Sequence, residues 1–552
     1  MPSKITFLFL FFCTTALFAQ KKIKSTAAAT PKLVVGIVVD QMRYDYLYKY
    51  YDKLSDKGFK RLLREGFSFD NCQYDYMPTY TGPGHATIFT GTTPSVHGII
   101  SNEWYVRDSA KIMYCATDTR MKTIGANTSA GQKSPHQLLA TTIGDELRLS
   151  NNFQSKVIGV ALKDRSAVFP AGRGGNAAYW YDAANGDFVT SSYYGMTQLP
   201  TWLQRFNARK LAAKYLSEKW ETLLPIEQYA PYCAADNTVY EHIFEGESTS
   251  SFPHDLPKIF QTSGDYEILR STPAGSHLTK DIAIAALEGE KLGKNGMTDM
   301  LTVSFSSPDI IGHGFGPQSI EVMDCYLRLD QDIADLLAYL DQHYQQQEVL
   351  VFLTADHGAA QNIGYMKDHR LSAGSVSESG IETQFRDFSK KRWNGQDFVL
   401  AYSSQQLYLD HTKITQLGIS LADVQQQFAD FALQFDGVAQ TITASNLRNN
   451  DYSQGILYFV QNGFYAKRSG DVALNYNPGY MDWSEIGTSH GSPFNYDTHV
   501  PLIWYGAGIP AGNSSAAVRV KDIASTVAMV LHLPFPNGNL GNPLNGYWLK
   551  RK

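Results

Sequence analysis

Leu33-Val34-Val35-Gly36-Ile37-Val38-Val39-Asp40 is an unbroken apolar run that stops on a carboxylate. Such a run reads as a fully buried strand of a parallel sheet, covered on both faces. Residues 156–162, 300–306, 349–354 and 500–505 have the same character, each followed at once by polar residues or glycine. Helical patterns alternate with them. In the clearest, residues 319–344, Ile320, Met323, Leu327, Ile333, Leu336, Leu337 and Leu340 recur at about the 3.6-residue helical period. Strands alternating with helices predict an α/β fold, a three-layer α/β/α sandwich around a mostly parallel sheet.

Two stretches break the rhythm. Residues at about 172–278 are rich in Tyr, Ser, Asn and Trp, and those at about 362–478 in Gln, Ser and Asp. Both are expected to be insertions forming walls or a cap over a site in one catalytic domain, residues 30–552. No internal repeat or low-complexity tract is visible.

In open parallel sheets ligands bind beyond the carboxyl ends of the strands. The first run ends at Asp40. Residues 300–306 lead into Ser307-Pro308-Asp309-Ile310-Ile311-Gly312-His313, and 349–354 into Ala355-Asp356-His357-Gly358. Residues 156–162 end in Lys163-Asp164-Arg165, and the fifth run is expected to close the sheet behind Gly487-Thr488-Ser489-His490-Gly491-Ser492. Carboxylates and histidines are the usual ligands of zinc, and a reactive site leaves a position open for substrate. Asp309 and His313, four apart, face one ion if the segment turns helically. Asp356 and His357 are both reachable at a strand-to-loop bend. An isolated Asp at a strand end is more often a cap or turn residue; the combination carries the argument.

Met77-Pro78-Thr79-Tyr80-Thr81-Gly82-Pro83-Gly84-His85 supplies a nucleophile. Pro83 suits the first turn of a helix, which places Thr81 just before the N-terminus, where free amides and the positive dipole end favour an alkoxide and a phosphate. A threonine needs metal coordination to ionise. Thr79 is the competitor, two residues further from the helix start.

On these residues the chain resembles the alkaline phosphatase superfamily, more closely the phosphate-irrepressible periplasmic alkaline phosphatases. The resemblance runs from Asp40 to beyond His490. It implies two Zn2+ per chain: one held by Asp309, His313 and His490, the other by Asp40, Asp356 and His357 with Thr81 as reacting ligand. It implies that Asn102 donates its amide to a phosphoryl oxygen and that Lys163 and Arg165 contact the phosphoryl group. If the strand continues through Arg165, both side chains lie on one face of the sheet and converge on one ligand. The implied reaction is hydrolysis of small phosphate monoesters through a phosphothreonine. His85 is read as structural, and the remaining histidines as satisfied or surface groups.

Composition bounds the partners. With 43% hydrophobic residues there is ample core, and 48 basic against 53 acidic residues without long blocks of one sign give no reason to expect a nucleic-acid partner. Residues 1–20 read as an export signal, with Lys4 before an apolar core from Ile5 to Phe18. A periplasmic or secreted monomer is expected, a membrane anchor being the alternative. Cys72, Cys115, Cys233 and Cys325 permit two disulfides in an oxidising compartment or remain free thiols. Two rival functions remain. A phosphodiesterase or nucleotide pyrophosphatase would share the metal ligands and the threonine, and a non-catalytic surface binding protein would have lost a ligand. A sulfatase lacks its nucleophile segment here.

Overall fold

The computed structural model describes residues 30–549, so the export signal read at residues 1–20 lies outside the described residues. The strand Leu33–Val39, buried along its whole length, pairs in parallel with Val349–Thr354 on one side and Asp299–Phe305 on the other. Asp299–Phe305 pairs in parallel with Val157–Ala161, and that strand with Ala177–Asp182. Five adjacent parallel strands therefore form the middle of a mixed sheet of eleven. Because they point the same way, residues that follow four of them emerge along one edge of the sheet. Those residues carry the candidate chemistry: Asp356, Asp40, Asp309 and Lys163.

Helices cover both faces. Pro273–Glu290 packs on Ile320–His343 and on Thr201–Ala208; in a second group, Thr81–Thr90 packs on Asp164–Ala171 and Asp522–Leu531. The predicted α/β/α layering is the observed one. The long helix spans Ile320–His343, capped by Ser319, whose hydroxyl accepts from the Val322 N–H.

Three expectations are corrected. The strand His499–Gly506 does not close the sheet: it runs antiparallel between Val349–Thr354 and Phe67–Gln73, with further strands beyond. The stretch at about 172–278 is not wholly an insertion, because Ala177–Asp182 and Asp187–Ser191 extend the central sheet. Their mixture of Tyr, Trp, Asp and Ser hid them from a search for apolar runs. And the chain after Val157–Ala161 does not remain extended: helix Asp164–Ala171 starts there, so Lys163 is its N-cap and Arg165 lies in its first turn.

The stretch at about 362–478 builds a four-stranded sheet in the order Val399–Ser403, Gln406–Leu409, Val472–Tyr476 and Val438–Thr443. It has an apolar cluster of its own around Phe385, Val424 and Phe428. Cys72, Cys115, Cys233 and Cys325 are all free thiols, so no disulfide joins them.

Candidate active site

Thr81 is the first residue of the helix Thr81–Thr90, every residue of which is buried. The helix sits tight against the sheet edge because Gly84 faces the backbone of Asp356; a Cβ there would lie 2.4 Å from its carbonyl oxygen. At the helix start the Gly82 N–H donates to Asn102 Oδ1 at 2.8 Å. That bond fixes which end of the Asn102 amide points away, leaving its NH2 to donate elsewhere.

Arg165 Nη2 donates to Thr81 Oγ1 at 3.3 Å, and His357 Nε2 lies 3.5 Å from the same oxygen. The guanidinium is steadied by Nη1 on the Tyr114 hydroxyl at 3.1 Å. Tyr114 donates in turn to Asp164, which pairs with Lys133 at 3.3 Å. Arg165 Nε is buried without a hydrogen-bond partner. Thr79 is placed differently: its hydroxyl donates to the Ser492 carbonyl, and its own carbonyl accepts from His490 Nδ1 at 2.7 Å.

Asp309 and His313 share the helix Ser307–Phe315, so their four-residue spacing puts them on one face as read from the sequence. With His490 they form a compact group. Asp40, Asp309 and His357 form a second, and Asp356 Oδ2 stands 3.5 Å from His357 Nε2 beside it.

The chemistry of these groups fits divalent metal. Nδ1 of His313, His357 and His490 each lies 2.7–2.9 Å from a backbone carbonyl, of Thr488, Gly358 and Thr79. A carbonyl only accepts, so each Nδ1 carries a proton, and in the neutral ring it is Nε2 that keeps the lone pair. Burial pushes the His357 imidazole below its ordinary pKa, and burial with the neighbouring His357 does the same for His490. Those Nε2 lone pairs nonetheless face carboxylate oxygens: His490 to Asp309 at 3.6 Å, His357 to Asp40 at 3.5 Å. Asp40 Oδ1 and Asp356 Oδ2 are buried with no hydrogen bond. Lone pairs set against one another in a dry interior are repulsive unless a cation lies between them. The mix of imidazole and carboxylate suits zinc better than magnesium, which prefers oxygen and water.

Lys163 is placed otherwise than expected. Its buried ammonium pairs with Asp40 at 2.7 Å and with Asp309, joining the two groups. As it stands, this contact directs Lys163 to the carboxylates, not to a phosphoryl group. The seven ligands implied by resemblance and Arg165 and Asn102 are thus gathered around the start of one helix.

One participant was missed. Gln41, with φ of 64°, turns the chain sharply after Asp40. Its N–H donates to Asp356 Oδ1 at 3.1 Å and its amide NH2 to Asp309 Oδ1 at 2.7 Å. Only its place next to a strand-end Asp hinted at this. His85 has the structural part read for it: Nδ1 donates to the Thr81 carbonyl at 2.9 Å, Nε2 meets Ser304 Oγ at 2.8 Å, and the ring lies 3.3 Å behind Asp356 Oδ2.

A family model for type I phosphodiesterase / nucleotide pyrophosphatase matches residues 34–493. Over 537 residues, 97% of this chain and 96% of the relative, the chain is 42% identical to a Myroides odoratus protein described as a calcium-transporting ATPase. Over 524 residues, 94% of this chain and 95% of the relative, it is 40% identical to alkaline phosphatase PafA of Elizabethkingia meningoseptica. The crystal structure of wild-type PafA superposes with a TM-score of 0.90 at 39% identity, covering 94% of this chain and 99% of PafA. The chain therefore belongs to the type I phosphodiesterase / nucleotide pyrophosphatase family of the alkaline phosphatase superfamily.

Proposed function

We propose that this chain is an exported alkaline phosphatase that hydrolyses small phosphate monoesters through a phosphothreonine on Thr81, assisted by two zinc ions. The observation that carries the reading is the convergence of Arg165 and His357 on the Thr81 hydroxyl at the start of a buried helix. Its 40% identity with an alkaline phosphatase over almost the whole chain supports the reaction class. Export rests on residues 1–20; among the described residues no helix is long and apolar enough to cross a membrane.

Asp309, His313 and His490 would hold one ion, and Asp40, Asp356 and His357 the other, next to Thr81. Bound there, the pair would lower the pKa of an oxygen nucleophile and neutralise charge on the departing oxygen. The chain's own groups do the rest. Thr81 loses its proton and its Oγ bonds to phosphorus as the bond to the ester oxygen breaks; the leaving alcohol takes up a proton. Water then cleaves the Oγ–P bond, releasing phosphate and restoring the hydroxyl. Arg165, braced by Tyr114, offers a planar fork to the non-bridging oxygens, and the Asn102 NH2 points at another. Lys163 holds Asp40 and Asp309 together and so positions ligands of both groups. The transition state of such transfers is loose, so positioning and charge supply most of the catalysis.

Comparing kcat/KM of the wild type and Thr81→Ala on a phosphate monoester, a phosphate diester and a sulfate ester tests this reading. Monoester turnover that is highest of the three and collapses in Thr81→Ala supports it. A preference for the diester would move the chain to the phosphodiesterase reading, and turnover independent of Thr81 would sink the nucleophile.

A further inference from the structure

A partly open cleft of about 380 Å³ is lined in part by Arg165 and Lys163 and by none of the candidate metal ligands. Its walls bring together Tyr114, Lys133, Trp180, Tyr181 and Arg270. Lys133, Lys163, Arg165 and Arg270 put four positive charges on it, against Asp164 and Asp182. The acids are occupied. Asp164 takes Tyr114 and Lys133, and Asp182 accepts from Thr128 and Asn185 at 2.8 and 3.1 Å. Lys163 is occupied too, by Asp40 and Asp309.

The two guanidiniums are the groups with capacity left. Arg270 shares Nη1 between both oxygens of Glu267, at 2.6 and 2.9 Å, yet its Nε is buried without a partner, as is that of Arg165. Both residues line the cleft, and among the described residues Arg270 makes no hydrogen bond through Nη2, so the cleft offers an anion a guanidinium donor that no protein acceptor has taken. Arg270 comes from the Tyr266–Ser271 turn, remote in sequence from every strand-end residue. It makes no contact with Thr81 or the metal ligands.

We propose that this cleft receives the non-transferred part of the substrate, and that Arg270 selects leaving groups carrying negative charge of their own, such as a second phosphate. The inference rests on the phosphatase reading above. The transferred phosphoryl group meets Arg165 on the Thr81 side; a second anion attached to the leaving oxygen reaches into the cleft, where Arg270 faces it and Lys133, paired with Asp164, adds only its charge. Tyr114, Trp180 and Tyr181 wall the space between with aromatic surface.

The test compares phenyl phosphate, whose leaving group is uncharged, with para-phenylene bisphosphate. In the zinc-loaded wild type, kcat/KM for the bisphosphate should exceed that for phenyl phosphate and fall more steeply with salt, since screening weakens the extra attraction. Arg270→Ala should lower kcat/KM for the bisphosphate by about tenfold or more, the scale of one hydrogen bond to a charged group, and the phenyl phosphate value much less. Arg270→Lys, which keeps the charge, should recover part of the loss. Equal losses on both substrates, or none on the bisphosphate, would overturn the inference. If Arg270→Ala does not fold, equal salt slopes for the two substrates in the wild type overturn it equally. Absence of wild-type turnover of phenyl phosphate would instead count against the phosphatase reading itself.

Discussion

The two groups of candidate metal ligands sit side by side yet are built differently. Asp40, Asp356 and His357 are wholly buried, on adjacent strands whose register is fixed by the sheet and backed by His85 and Gln41. Asp309, His313 and His490 lie further out; the His313 side chain is 23% exposed, and His490 comes from the loop before His499–Gly506. That outer group leans on the segment around residues 240–254: the His242 N–H bonds the Gly314 carbonyl, and the Gly487 N–H that of Tyr240. The inner group is therefore part of the core, and the outer one joins a helix, Ser307–Phe315, to the loop of His490 and is held in place by neighbours. Substitutions should separate the two.

The largest stability effect should come from the inner group. Asp356→Ala leaves the buried Gln41 N–H without its charged acceptor and opens a gap behind His85, so we expect a loss of about 3 kcal/mol by denaturant titration of the metal-free protein. His490→Ala should cost about 1–2 kcal/mol, the scale of a lost hydrogen bond and its packing, while abolishing binding of one of the two ions. Equal costs would erase the distinction between core and loop.

Arg165→Ala tests the reaction without touching either group. It should cost about 2–4 kcal/mol of transition-state stabilisation on a monoester, as expected for one preorganised donor in a water-poor site. A methyl diester, with one charged oxygen fewer, should lose less. Matching losses on both would make Arg165 a support for Tyr114 and Asp164 alone.

The smallest expected effect is a pH dependence confined to the support of the outer group. Burial opposes charge on His254, but Glu247 at 2.9 Å and Glu321 at 3.3 Å raise it from 6.5 to about 9. A raised pKa means stability that is complete below pH 6.5 and is lost as pH climbs through about 9. Glu241, raised by burial and by Glu321 to about 8, acts in the same direction, because its deprotonation in the fold is delayed relative to the unfolded chain. Tm should therefore fall between pH 6.5 and 9, and His254→Gln should flatten the profile. A profile unchanged by that substitution would remove His254 from the account.

Much of this was legible in the sequence because a buried parallel strand and its abrupt polar end are both local signals. The run from Leu33 to Asp40 shows a strand, its burial and a site residue within eight positions. The Asp309 and His313 pair was legible by helical spacing. What escaped reading depended on tertiary placement. Nothing near Gln41 announces that its amide reaches Asp309, 268 residues away. Lys163 and Arg165 were read as one strand face, but a helix begins at Asp164, and the ammonium turns to the carboxylates while the guanidinium turns to Thr81. The strand Ala177–Asp182 was hidden by its Tyr and Trp, which fill a buried position as well as Val does without looking like an apolar run.

The central claim is that Thr81 becomes covalently phosphorylated. Zinc-loaded protein mixed with a phosphate monoester, quenched in acid within the turnover time and digested for mass spectrometry, should carry one phosphate on the peptide containing Thr81, localised to that residue and missing from chelator-treated protein. Phosphate on Thr79, or an enzyme that turns over with no phosphorylated residue at any quench time, would contradict the account.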